Sequence, residues 1–450
     1  MPRLEPARKL RPPGPRWPGW LNALRYLRDP LGFWTRVGRA YGDLARVRVG
    51  AYHCYLVNSP DLIRTVLATE DQKLGKARAY EEVARVVGHG LFTSEGDLHR
   101  RQRRTIQPLF ASDRIRDYAG IAVRTAARAE QQWQSGTVID AAEEMSRLTM
   151  GVVGQTLFGN DRPEALHIAR SLTSSATVLQ RFLLPGSKLL WRLSLPSTRR
   201  FEEACRQLDA LIYRLIAERR QSADLGGDLI SLLLSAQRKA GGEEITDRQI
   251  RDEAVTMLLA GHETLAVGLT WTWYLLSQHA ENEAKLHREL DHVLGGRPPE
   301  AADLDGLVYT RRVIQEAIRL YPPAWAIARR VDSEYQLGPY TIPTGSMLGL
   351  SQWVTHRDGR FFPDPLAFRP ERWEPTSEQA SPAAYFPFGG GPRVCIGERF
   401  AWTVAVLVLA TVAQRWRFSL APGASPEPRP VVTLNPREGM PMVLHRREAR

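Results

Sequence analysis

Apolar side chains recur every three or four positions through most of the first 322 residues, the spacing that gathers them on one helical face. This pattern predicts helices over about 60–70, 96–107, 113–134, 139–158, 164–182, 198–221, 247–278, 281–294 and 308–320. Leu44–Gly50 and Ala51–Val57 differ: both are extended runs rich in Val, Tyr and Leu, and Gly50-Ala51 between them predicts a hairpin. From Trp325 to Pro387 short strand-like pieces alternate with Pro, Gly and Arg, as in Gly338-Pro339-Tyr340 and Phe361-Phe362-Pro363-Asp364-Pro365. A further helix is expected from Glu398 to about Arg415. Its apolar run, Ala401 to Ala413, is too short to span a bilayer and is expected to be buried in protein. Turns and short strands follow from Trp416. The fold class is therefore mainly α with minor β.

The chain has 450 residues, 43% of them hydrophobic and 24% charged, a globular composition that excludes disorder. No repeat or low-complexity linker divides it, so one domain over 1–450 is expected, with 1–16 as a basic, proline-rich lead. That lead has no apolar h-region, and no stretch approaches the roughly 18 apolar residues of a spanning helix, so neither a signal peptide nor an integral membrane segment is expected. A cytoplasmic, reducing location is the expectation. The net charge is +12, from 61 Lys+Arg against 49 Asp+Glu, and nearly all of the positive charge is arginine. The arginines are scattered, and no nucleic-acid-binding signature accompanies them, so nucleic acid is not an expected partner.

Cys54, Cys205 and Cys395 are odd in number, far apart and without C-x-x-C spacing, which disfavours a disulfide framework or a zinc ribbon. Cys54 and Cys205 are read as small buried hydrophobes. Cys395 sits in Phe388-Gly389-Gly390-Gly391-Pro392-Arg393-Val394-Cys395-Ile396-Gly397. Three glycines permit a tight backbone with amide groups aimed at the sulfur, and Gly397 opens a helix whose positive end favours an anion. Such surroundings are expected to stabilise a thiolate, and a thiolate is a metal ligand. One cysteine cannot build a multi-cysteine cluster, which leaves a metal already held by something else, such as iron in a porphyrin.

The pattern Phe388-x-x-Gly391-x-Arg393-x-Cys395-x-Gly397 resembles the haem-binding loop of the cytochrome P450 monooxygenases. Ala260-Gly261-His262-Glu263-Thr264, Glu316-Ala317-Ile318-Arg319 and Phe368-Arg369-Pro370-Glu371-Arg372-Trp373 stand upstream of it in the family's order and approximate spacing. The likeness extends over nearly the whole chain from Pro12-Pro13-Gly14-Pro15. It implies haem b with an axial thiolate from Cys395, lying between a long central helix and the helix after the cysteine loop. It also implies proton delivery to dioxygen by Thr264 and Glu263, and a buried network of Glu316, Arg319 and Arg372 supporting the loop. Arg393, Arg329, His99 and Arg103 match the family's haem-propionate partners, with Phe388, Gly391 and Gly397 shaping the loop. The family often has tryptophan where this chain has His99.

These elements also have a reading of their own. On the predicted 247–278 helix, Val255, Leu258, Leu259, His262, Leu265, Ala266 and Leu269 form an apolar-biased stripe, and Gly261, Thr264 and Gly268 form a small-residue stripe beside it. Small side chains allow either helix packing or the approach of something flat. Thr264 can bond back to the carbonyl of Ala260 and loosen the helix. Glu263 and Thr264 pair an acid with an alcohol, the groups that proton transfer needs, whereas His262 is read as packing or solvent-linked. Glu316 and Arg319, three apart, can equally form an ordinary exposed ion pair. Arg100, Arg101 and Arg104 offer either a solvated face or a docking surface for an acidic redox protein.

The expected function is insertion of one oxygen atom from dioxygen into a small apolar substrate of terpene type, by a monomer fed with electrons by a ferredoxin and ferredoxin reductase. No flavin- or nicotinamide-binding region follows the cysteine loop. A fatty-acid hydroxylase is the alternative. A peroxide-driven hydroxylase, an isomerase or lyase, and a non-catalytic haem sensor are disfavoured because the acid and the alcohol are both present. Ala79–Leu91, Leu179–Leu195, Leu258–Thr264, Pro323–Ile327 and Glu438–Pro441 are expected by resemblance to line the pocket, with Phe182, Leu183, Leu184, Leu189, Leu190, Trp191 and Trp325 prominent.

Overall fold

A computed structural model of the chain describes residues 10–69, 73–159, 167–168, 196–222, 226–239, 245–375 and 381–448. The expected pocket segment 182–195, and nearly all of the expected helix 164–182, lie outside these residues. The chain divides into two compact units. The first comprises Met1–Tyr80, Trp325–Pro365 and Gln379–Val394, the second Glu81–Ala324, Leu366–Glu378 and Cys395–Arg450.

The first unit is organised by the predicted hairpin. Leu44–Val49 pairs antiparallel with Tyr52–Val57, in register from Leu44 opposite Val57 to Val49 opposite Tyr52. Gly50 takes the turn with φ +59°, a conformation that a β-carbon disfavours. The sheet continues through Met347–Leu350, Ile327–Val331 and Leu74–Lys76, five strands in all. On one side Val57, Leu348, Leu350 and Val331 pack with Val66, Leu337 and Ile342. The helices Gly19–Arg28 and Pro30–Tyr41 precede the hairpin. The sequence pattern does not announce them.

The second unit is mostly helical. Its longest helix, Asp247–Gln278, has the predicted limits, because Thr246 and Gln249 form a reciprocal capping box at its start. It packs against Ala141–Phe158, Pro196–Gln221, Val308–Leu320 and Glu398–Ala413. The last of these is buried from Thr403 to Ala413, as its unbroken apolar run requires. No helix among the described residues is long and apolar enough to cross a membrane.

Two expected boundaries move. The 139–158 helix starts at Ala141, because Val138–Asp140 is a strand paired with Pro441–Arg446 at the far end of the sequence, and Asp140 caps the helix by accepting from Ala142 and Glu143 N–H. The 113–134 helix ends at Glu130. Trp133 instead packs edge-on against Trp416 and Phe418. Ala79–Val87 and Leu229–Lys239 are further helices that the pattern did not separate.

Candidate active site

The residues singled out by sequence are distributed over both units. In the first unit Gly391 has φ +66°, and a β-carbon there would come within 2.1 Å of the Leu67 carbonyl oxygen. Gly390 packs on the Leu67 side chain and Gly389 against Ile327. The three glycines therefore let the loop lie directly on neighbouring backbone and side chains. Gly391→Ala should add a strained φ costing on the order of 1–3 kcal/mol and push the loop off Leu67. A lower urea midpoint and less haem retained per chain are the expected results, measured by denaturation and by pigment-to-protein ratio.

Arg393 donates through Nη2 to the Leu74 carbonyl at 3.0 Å. Arg329 is buried in the Ile327–Val331 strand, and Phe388 is partly buried. Arg329 and Arg393 both act on Tyr80, whose hydroxyl pKa is pushed up by burial and drawn back by the two guanidinium charges. Sequence reasoning missed Tyr80 as a member of this group, since nothing in its spacing ties it to residues about 250 and 310 positions away.

In the second unit, Cys395 is the one exposed cysteine of the three; Cys54 is buried, and Cys205 is partly exposed where burial was expected. Cys395 is exposed as a residue, while its thiol is desolvated by the protein around it. Burial raises its pKa above the ordinary thiol value, while the Gly397 backbone N–H and the nearby Arg103 charge pull it down. The Gly397 amide and the Arg103 charge are the two groups that favour the anionic sulfur. A bound metal would complete the deprotonation. Among the described residues no three His, Cys, Asp or Glu side chains gather to hold a metal. A single accessible sulfur of this kind fits a metal that brings its own remaining ligands, as haem iron does.

His99, 8% exposed, and Arg103 lie four apart on the Gly96–Ile106 helix, hence on one face. Burial lowers the Arg103 pKa and Cys395 opposes that effect, so the cation and the sulfur are electrostatic neighbours. Arg100, Arg101 and Arg104 are exposed, with Arg100 paired to Asp97.

Glu316 resolves its two readings decisively. Glu316 and Arg319 are wholly buried and Arg372 is 1% exposed. Arg319 donates to both Glu316 oxygens at 2.8 Å, and Arg372 Nε to Oε1 at 2.9 Å. Trp373 Nε1 and the Arg369 backbone N–H complete the shell at 2.9 and 3.1 Å. A carboxylate with five donors and two cations is a structural tie, not a surface pair.

On the central helix, Thr264 Oγ1 donates to the Ala260 carbonyl at 2.7 Å, the back-bond expected. Ala260 is exposed and Leu259, Gly261, Glu263 and Thr264 are partly exposed, although the helix is buried on both sides of this stretch. His262 is buried and bonds Ser146 Oγ through Nε2 at 3.0 Å, a packing role. Glu263 Oε1 accepts from Thr433 Oγ1 at 2.7 Å and from Asn435 Nδ2 at 3.0 Å. Neither partner was foreseen, for about 170 residues separate them from Glu263.

A back-bonded threonine beside a held acid, a lone accessible thiol and a buried Glu–Arg–Arg tie agree with the comparison with known families. The cytochrome P450 family model matches residues 12–441. The chain belongs to the cytochrome P450 family. This P450 is 39% identical to cyclooctatin synthase of Streptomyces melanosporofaciens, over 92% of its own length and 91% of that protein. It is 37% identical to pentalenene oxygenase of Streptomyces avermitilis, over 92% of each chain. Identity to cyclooctat-9-en-7-ol 5-monooxygenase of Streptomyces melanosporofaciens is 36%, over 94% of each. The P450 is thus a monooxygenase of the haem-thiolate class, an oxidoreductase that needs a redox partner and acts on apolar substrates.

Proposed function

We propose that this P450 inserts one oxygen atom from dioxygen into a terpene-like hydrocarbon. The observation that carries the substrate class is that two relatives matching over nine-tenths of the chain are named for oxygenating pentalenene and cyclooctat-9-en-7-ol. Cys395 is the proposed iron ligand. His99, Arg103, Arg329 and Arg393 would meet the propionates, Phe388, Gly391 and Gly397 would shape the loop, and Glu316, Arg319 and Arg372 would hold it. A ferredoxin with its reductase is the proposed electron supply, and the working form is a cytoplasmic monomer folded as one P450 domain.

When bound, haem supplies the redox chemistry that activates dioxygen. The protein's own part is proton handling. Thr264 commits its proton to Ala260, so its oxygen is left as an acceptor that can orient a bound donor. The proton itself must come from elsewhere, and Glu263 is the adjacent acid. Both of the bonds that hold Glu263 fall on Oε1, leaving Oε2 to carry and release a proton. Thr433 and Asn435 fix the direction in which it does so.

Thr264→Ala should keep haem and fold but divert reducing equivalents to peroxide, with product formed per oxygen consumed falling several-fold. Undiminished coupling would remove Thr264 from proton delivery. The substrate class is tested by titrating the ferric protein with terpene hydrocarbons and fatty acids side by side. A high-spin shift with the terpenes at lower concentration is expected, and a preference for fatty acids contradicts it.

A further inference from the structure

We propose that the Gly19–Arg28 helix and the turn before it rest on the surface of an anionic lipid membrane without crossing it. Among the described residues eleven large hydrophobic side chains are exposed, and five of them fall between Leu10 and Leu27. Trp17, Trp20, Leu24 and Leu27 follow one another at intervals of three and four, with 50%, 68%, 56% and 38% of their surface open. They form a single outward stripe.

The inward face buries Gly19 and Asn22 and packs Tyr26 edge-on against Phe33 and Trp34, while Trp20, Leu24 and Leu27 stay on the open side. Asn22 is fully buried and donates through Nδ2 to the Arg48 carbonyl at 2.9 Å. Gly50 N–H bonds the Gly19 carbonyl at 2.8 Å, and a β-carbon at Gly19 would reach 2.3 Å from the Gly50 oxygen. These bonds hold the helix against the Leu44–Val57 hairpin in the rotation that keeps Trp20, Leu24 and Leu27 outside. Turning the leucines inward would break two backbone-directed bonds, so the exposure is built in.

Charge selects the occupant. From Leu10 to Arg28 the chain carries Arg11, Arg16, Arg25 and Arg28 and no acidic residue. The Arg25 guanidinium lies 3.4 Å from the Trp17 ring centroid, and Arg11, Arg16 and Arg28 are exposed at the margins. Tryptophan and leucine flanked by arginine match the layered chemistry of an anionic bilayer surface, apolar below and phosphate above, better than an acidic protein face, which offers no apolar layer of that depth. No helix among the described residues is long and apolar enough to span, and a ten-residue helix with an open apolar stripe suits lying on the surface.

The test is co-sedimentation of the haem-containing protein with phosphatidylcholine vesicles, with and without phosphatidylglycerol, at low and high salt. Binding to the phosphatidylglycerol vesicles, weakened by salt, is expected. Trp20→Glu with Leu24→Glu should abolish it, and Arg11→Gln with Arg16→Gln and Arg28→Gln should weaken it roughly tenfold or more. Both variants should retain the wild-type carbon-monoxide spectrum and helical circular dichroism. The proposal is overturned by no sedimentation, by equal binding to pure phosphatidylcholine, by full binding of the Trp20/Leu24 variant, or by a dimer in ultracentrifugation that the same variant dissociates while vesicle binding is absent.

Discussion

Glu316→Gln should be among the most damaging single changes in the chain. The carboxylate it replaces accepts from Arg319, Arg372, Trp373 and the Arg369 backbone in a place that water does not reach. Glutamine keeps the size but removes the charge that balances two buried guanidinium groups, and its amide end turns donor toward donor. Removing one member of a buried ionic set costs about 3–5 kcal/mol. That is a large fraction of the roughly 5–15 kcal/mol by which folded proteins are stable. Soluble yield should fall sharply, with a denaturation midpoint well below wild type before any haem is considered. Arg372→Leu should act in the same direction, since it leaves Glu316 one cation short. A Glu316→Gln protein within about 1 kcal/mol of wild type would mean that the cluster carries little of the fold.

The second large effect is expected from Cys395→Ser, and it should fall on chemistry and leave stability nearly untouched. Serine keeps the shape of the cysteine side chain, so the exchange itself disturbs little packing. What is lost is the thiolate. Serine would not present, at neutral pH, the soft anionic ligand that Cys395 is proposed to supply to haem. Product formation should drop to background while the denaturation midpoint stays close to wild type. Measuring both on one preparation separates this outcome from the collapse expected of Glu316→Gln.

Much of this arrangement was legible in the sequence because it depends on short-range spacing. The Leu44–Val57 hairpin follows from its alternating residues and Gly50, and the Asp247–Gln278 helix from its periodicity and its cap. The back-bond of Thr264 follows from a four-residue interval. What depends on distant chain segments was not legible. No pattern announces that Val138–Asp140 pairs with Pro441–Arg446, or that Thr433 and Asn435 hold Glu263. The Gly19–Arg28 helix escaped for another reason: beside Tyr26 it buries Gly19 and Asn22 and leaves Trp20, Leu24 and Leu27 open, so its apolar stripe does not mark the inward face. The close packing of Gly390 and Gly391 on Leu67 was not legible either, because more than 300 residues separate them.

The most direct test compares the carbon-monoxide spectra of reduced Cys54→Ala, Cys205→Ser and Cys395→Ser proteins with wild type. Wild type and the first two should show the far red-shifted band of thiolate-bound haem, and Cys395→Ser should lack it. A band that survives in Cys395→Ser, or that disappears with Cys205 instead, would contradict the assignment of the iron to Cys395.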